Sequence, residues 1–194
     1  IDEAQKINNI GQGLKILVDQ LKGVRVIATG SSSFELSNRV GEPLVGRQFV
    51  FTLFPVAMLE LAAQYGRMYI QERLEQFLIY GSYPEVLTSV SAEERKRYLI
   101  QIRDAYLYKD ILELESVKGS KVLMDLLLLL AFQVGNEVSH TELGSNLGID
   151  AKTVTRYLDL LEKGFIIINL RGFSRNLRKE ISKKGKYYFY DNGI

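Results

Sequence analysis

Apolar residues recur at helical spacing over residues 9–22, where Ile10, Leu14, Leu17, Val18 and Leu21 share one face and Gly23 ends the run. The period then changes. "VRVIAT" is a short, nearly continuous apolar stretch of the kind buried on both faces of a parallel sheet. "GSSSFELSNRVGE" reads as a turn and a short helix, "RQFVFTLFP" as a second strand, and Pro55 as the start of a helix at "VAMLELAAQY". This order predicts part of an α/β domain. Beyond Pro55 the strand signal stops. "YIQERLEQFLIYG", "SAEERKRYLIQIRDAYLYKDILEL" and "SKVLMDLLLLLAFQVG" read as helices, and Ser91 with Glu94 has capping-box spacing. In the second of these, Tyr98, Leu99, Ile102, Tyr106 and Ile111 form the inward stripe, and Gly81 with Pro84 marks a turn before it. Arg103, Asp104, Lys109 and Asp110 fall outside that stripe, as solvated charges or as a subunit contact.

The last third has a more specific order. "SHTELGSNLG" opens with Ser139 and carries Glu142 three residues on, a second capping box. "DAKTVTRYLDLLEKG" has Asp150 as N-cap, an apolar side of Val154, Tyr157, Leu158 and Leu161, and Gly164 in the C-cap position. "FIIINL" and "KYYFYD" follow as strands. In the second, Tyr187, Tyr188, Phe189 and Tyr190 alternate, so two of the four point inward. Helix, helix, short turn "LGID", helix and two strands is the order of a winged helix-turn-helix. The expected fold is therefore an α/β remnant of a parallel sheet over 1–55, a mostly helical segment over 56–117 and a winged helix over 118–191. Residues 192–194 would open a further region. His140 is expected at the surface.

Composition narrows the chemistry. The 194 residues are 46% hydrophobic and 25% charged, which fits a globular chain able to bury a core. There is no Cys and one His, so disulfides are excluded and a zinc or Cys/His centre is disfavoured. The longest apolar run, "VLMDLLLLLAF", is interrupted by Asp125 and too short for a bilayer. With no initiator Met and no signal-peptide pattern, the expectation is a cytoplasmic fragment without a membrane role. The net charge of +2 conceals a basic tail: from Arg171 onward Arg171, Arg175, Arg178, Lys179, Lys183, Lys184 and Lys186 face only Glu180 and Asp191. In a DNA-binding use, Lys152, Thr153, Thr155 and Arg156 of the third helix would meet the major groove. Arg171, Arg175, Arg178, Lys179, Lys183 and Lys184 would meet backbone phosphates. The same helix carries Asp150, Asp159 and Glu162, so docking of a protein or a second copy stands beside double-stranded DNA as a partner.

The opening "IDEAQ" and the later "ATGSSS" suggest one chemistry. In P-loop nucleoside triphosphatases a strand ends in Asp-Glu, the Asp supporting Mg2+ and the Glu orienting the attacking water. The next strand ends in a small polar residue near the γ-phosphate. Here Asp2 and Glu3 are separated from "VRVIAT" by one crossover-sized helix. Spacing alone leaves a charged helix start and an ordinary turn as equal readings.

"IDEAQKI", "IATGSSSFELSNRVGEPLVGRQFVFTLFPVAMLEL", "YGSYPEVL", "YKDIL" and "KGKYYFYDNGI" resemble, in order along the chain, a family of prokaryotic AAA-like P-loop ATPases. That family carries a C-terminal winged helix and then an endonuclease-like region. The resemblance implies that Asp2 and Glu3 are the Walker B pair, with Asp2 as the metal-side ligand, and that Gly30, Ser31 and Ser32 form the sensor-1 turn. It also implies that Arg47 lies near the nucleotide, as a finger toward a neighbouring subunit or as a plain surface charge. Two departures matter. No "GxxxxGK[ST]" occurs, and the chain stops at "YDNGI", where the endonuclease-like region begins. ATP and Mg2+ are thus expected in the full-length parent, and this fragment is expected neither to bind ATP tightly nor to hydrolyse it. The alternatives are a winged-helix DNA-binding regulator and a docking or oligomerisation module.

Overall fold

The structure, a computed structural model, describes residues 1–30, 44–105, 120–173, 175 and 184–194. It divides into two compact units, Ile1–Leu53 and Phe54–Ile194. Among the described residues it is mostly helical, with one two-stranded antiparallel sheet.

In the first unit a 3-10 turn at Ala4–Lys6 leads into α1, Ile10–Gln20. Only part of the predicted α1 stripe is covered. Ile10 and Leu14 join Ala4 and Leu44 in a small core against Val26 and Ala28, whereas Leu17, Val18 and Leu21 stay exposed. The strand predicted at "VRVIAT" is not formed as a regular element. It keeps a strand's alternation, with Val26 and Ala28 inward and Ile27 outward. Its backbone meets the first residues through Ile1 N–H to Ile27 O at 2.8 Å, Thr29 N–H to Ile1 O at 2.9 Å and Ala4 N–H to Thr29 O at 2.8 Å. One residue bonding to both flanks of Ala28 is parallel pairing. Glu3 turns into the left-handed region at φ 49, and the bond to Thr29 O comes from Ala4 after it. The strand predicted at "RQFVFTLFP" is absent: Phe49 is 91% and Leu53 99% exposed. An apolar run suited to cover on both faces has it on neither, and no neighbouring strand pairs with it among the described residues. Of the parallel sheet expected over 1–55, the described residues form one pair of laced segments. The short helix predicted after Gly30 lies outside the described residues.

In the second unit the helix expected from Pro55 begins three residues later, as α2, Met58–Tyr65, where the Glu60 carboxylate accepts the Ala57 N–H at 2.8 Å. The single helix predicted at "YIQERLEQFLIYG" is two, α3 (Arg67–Glu72) and α4 (Leu74–Tyr80), broken at Arg73. α5 (Pro84–Thr88) follows with Pro84 in its first turn, where a missing N–H costs nothing. α6 (Ala92–Asp104) starts on the Ser91–Glu94 capping box, with Glu94 N–H on Ser91 Oγ at 3.1 Å. Leu99 is its buried position, and Arg103 pairs with Asp104 beside it at 2.7 Å. Tyr106, Lys109, Asp110 and Ile111 lie outside the described residues.

α7 (Ser120–Phe132), α8 (His140–Leu147), α9 (Ala151–Lys163), β1 (Ile167–Leu170) and β2 (Lys186–Phe189) surround the main core. Asp150 accepts the Lys152 and Thr153 N–H groups, each at 2.9 Å, and so caps α9. Val154, Tyr157, Leu158 and Leu161 are buried as the spacing predicts, together with Leu160. They pack with Leu123, Leu126 and Leu130 of α7, Leu143 of α8 and Ile167 of β1. Each such side chain contributes about 1.5–3 kcal/mol through burial. β1 and β2 pair antiparallel, Ile167 opposite Phe189, and Tyr187 and Phe189 are the two inward aromatics. Gly164 is the C-cap but has φ −79; Phe165 takes the left-handed turn at φ 57. Its ring packs edge-on against Phe54 and Tyr190, contacts that offset the backbone cost. His140, expected at the surface, is half-buried.

Candidate functional site

The parallel lacing brings Asp2 and Thr29 to the same end of two adjacent segments. There the Thr29 hydroxyl donates to Asp2 Oδ1. This bond, helped by the Glu3 N–H and opposed by burial, holds the Asp2 carboxyl below the ordinary aspartate value. Glu3, in its left-handed conformation, is paired with Lys6 at 3.3 Å. A non-glycine residue in that region stores strain of about 1–3 kcal/mol and turns its side chain away from the direction of a strand. Gly30 follows Thr29 directly and is exposed, while Ser31 and Ser32 lie outside the described residues. Arg47 bonds through Nε to Asp19 of α1 at 2.8 Å. Thr29 did not stand out by composition. The clue to it was its position as the last residue of an apolar run before a glycine.

On the second unit, Lys152 and Arg156 lie exposed on α9. Thr153 and Thr155 are engaged within the fold: Thr153 Oγ1 donates to Asp150 at 2.7 Å, and Thr155 Oγ1 to Ala151 O at 2.9 Å. The Thr153 bonds hold the Asp150 carboxyl below its usual range. Arg171, Arg175 and Lys184 are exposed, and Arg178, Lys179 and Lys183 lie outside the described residues.

A third constellation joins sequence-distant segments of this unit. Asp191 is 4% exposed. Its Oδ2 accepts the Ser82 N–H at 2.7 Å and the Ser82 hydroxyl at 3.3 Å, and its Oδ1 accepts the Gly193 N–H at 2.8 Å. Gly81 (φ 70, ψ −153) lies against it so closely that a Cβ there would meet Asp191 Oδ1 at 1.6 Å. A buried carboxylate with three donors is satisfied without a counter-ion. The role of "GSYP" is thus to receive "YDNG", a pairing across 109 residues that neither segment signals alone.

Oxygen is what the Asp2 edge offers, a carboxylate and a hydroxyl. Among the described residues no group of three or more His, Cys, Asp or Glu gathers to cage a metal. A carboxylate and a hydroxyl are oxygen ligands of the kind Mg2+ takes, with one or two carboxylates and with phosphate and water completing its shell. No helix among the described residues is long and apolar enough to cross a membrane.

Comparison with known proteins adds to this picture. Residues 1–62 match a family described as an AAA domain, which makes the front of the chain AAA-like. An uncharacterized protein of Haemophilus influenzae is 25% identical over 209 residues, covering all of this chain and 50% of the relative. Uncharacterized proteins of Mycobacterium tuberculosis and Methanocaldococcus jannaschii are 26% and 24% identical, covering 100% and 89% of this chain and 42% of each relative. The chain therefore spans half or less of the length of these relatives. No solved structure matches. Residues 71–194 match the family described as a domain of unknown function, DUF8612, and the chain belongs to that family.

Proposed function

We propose that the chain is the acidic-pair half of a Mg2+-dependent ATP-hydrolysing protein, coupled to a winged-helix module. The observation that carries this reading is the Thr29 hydroxyl seated on Asp2 at one end of two parallel-laced segments. The match of residues 1–62 to an AAA domain supports it. In this reading Asp2 holds the Mg2+ side of the nucleotide and Thr29 fixes the carboxylate. Glu3 orients or deprotonates water once its pairing with Lys6 is released. Gly30, with Ser31 and Ser32, would form the sensor-1 turn beside the γ-phosphate, and Arg47, here bonded to Asp19, would lie near the nucleotide. Bound Mg2+ supplies charge neutralisation of the phosphates. The phosphate-cradling loop is not among these residues, so tight ATP binding and hydrolysis belong to the full-length protein. The test is Mg2+-dependent ATP hydrolysis by that protein with and without Asp2→Ala.

A second reading, of α8, α9 and the β1–β2 pair as a winged helix that contacts duplex DNA, is favoured by exposed Lys152 and Arg156 on α9 with Arg171, Arg175 and Lys184 beyond it. With Thr153 and Thr155 engaged internally, contact would be mainly to phosphates and so sequence-tolerant. Affinity for duplex DNA should then fall at least about tenfold between 50 and 200 mM salt. Undetectable binding at 50 mM salt, with a sedimentation coefficient that rises with concentration, would favour protein docking.

A further inference from the structure

Three elements of the second unit meet at one imidazole, and a fourth joins through Tyr187. Thr155 Oγ1 has a single proton, and it goes to Ala151 O. With that proton on Ala151 O, Thr155 is an acceptor for His140 Nδ1, 2.9 Å away, which assigns the ring proton to Nδ1. A neutral ring then leaves Nε2 bare, an acceptor for the Tyr187 hydroxyl at 3.1 Å. The Tyr187 oxygen in turn accepts from Asn169 Nδ2 at 3.3 Å. Asn169 to Tyr187 to His140 to Thr155 to Ala151 is thus a one-way chain of four bonds through β1, β2, α8 and α9. Asn169 Oδ1, at the far end, is buried and has no hydrogen-bond partner. It lies where a Cβ on Gly185 would come within 2.1 Å, so Gly185 leaves room for the amide.

We propose that His140 is an acid-released pin: neutral, it ties α8 to α9 and to β2; protonated at Nε2, it confronts the Tyr187 O–H with a second donor and the tie opens. Asn169 presents its amide nitrogen to Tyr187, so the displaced phenol proton finds an acceptor there only if the amide turns over. Burial lowers the tendency of His140 to take a proton. Burial also pushes the Tyr187 phenol up, with Glu162 of α9 acting in the same direction and Arg171, just past β1, against it, so the phenol keeps its proton as donor. Because folding lowers the His140 value, the stabilisation is complete above about pH 6.5, where the unfolded imidazole is neutral, and is lost as pH falls through the folded value. This inference is independent of the ATPase reading.

His140 is the only histidine in the sequence, so its imidazole signals in 15N-labelled chain are unambiguous. At pH 7.5 the ring should be protonated at Nδ1 and bare at Nε2. Its titration midpoint should lie below that of the urea-unfolded chain, and the Thr155, Asn169 and Tyr187 amides should shift with the same midpoint. Tyr187→Phe removes a bond to the neutral ring and should raise that midpoint. An Nε2–H tautomer, a midpoint at or above the unfolded one, or α9 and β2 amides that stay still through the transition would each overturn the proposal. If Tyr187→Phe does not fold, those three wild-type readings decide it.

Discussion

Gly81→Ala should destabilise the second unit by about 4 kcal/mol, read as a lowered midpoint of urea unfolding. Two costs add. Gly81 has φ 70 and ψ −153, a region open essentially to glycine alone, and a side chain there costs about 1–3 kcal/mol. The new Cβ would also fall 1.6 Å from Asp191 Oδ1, so the carboxylate must move off Ser82 and Gly193. Displacing a buried carboxylate from its donors and overpacking the joint adds about 2–3 kcal/mol. Gly66→Ala separates the two contributions. Gly66 has similar backbone angles, φ 85 and ψ 161, but nothing within 4 Å of the added carbon. It should cost only the backbone part, about 1–2 kcal/mol. Equal losses at the two glycines would mean that Asp191 does not hold the joint.

The second large effect concerns the proposed chemistry. In the full-length protein, Asp2→Ala should lower Mg2+-dependent ATP hydrolysis at least about 100-fold, a typical consequence of removing a charged group from a phosphoryl-transfer site. Asp2 is exposed and its loss uncovers no core, so the unfolding midpoint should hardly move. Activity loss without stability loss distinguishes a chemical role from a structural one. Glu3→Gln should spare nucleotide binding while slowing hydrolysis, since it keeps the shape and removes the base. Full activity in Asp2→Ala would remove the ATPase reading.

The sequence was most legible where one element's own residues decide its structure. The α9 cap at Asp150, its buried face and the two strands that follow it are all local patterns, and each formed as expected. The predicted strands at 24–29 and 47–55 failed for a non-local reason: an apolar run becomes a strand only beside another strand, and here one has a single laced neighbour and the other none among the described residues. The Asp2–Glu3 pair was visible as a motif, but its partner was not. Thr29 became part of the site through a hydroxyl reaching across 27 residues. His140 and Asp191 were missed for a related reason, because partial or full burial of a polar residue depends on donors and acceptors supplied by other elements. Phe165 shows the same dependence, since the left-handed turn expected near a glycine moved to an aromatic residue that its neighbours hold in place.

The account rests on Asp2 and Thr29 presenting their oxygens together at one edge. Carboxyl 13C titration of Asp2 in this chain reads that contact directly. Asp2 should titrate below the ordinary aspartate value in the wild type, and Thr29→Val, which removes the donor and keeps the shape, should raise the midpoint. The same midpoint in both proteins would mean that the two side chains do not meet.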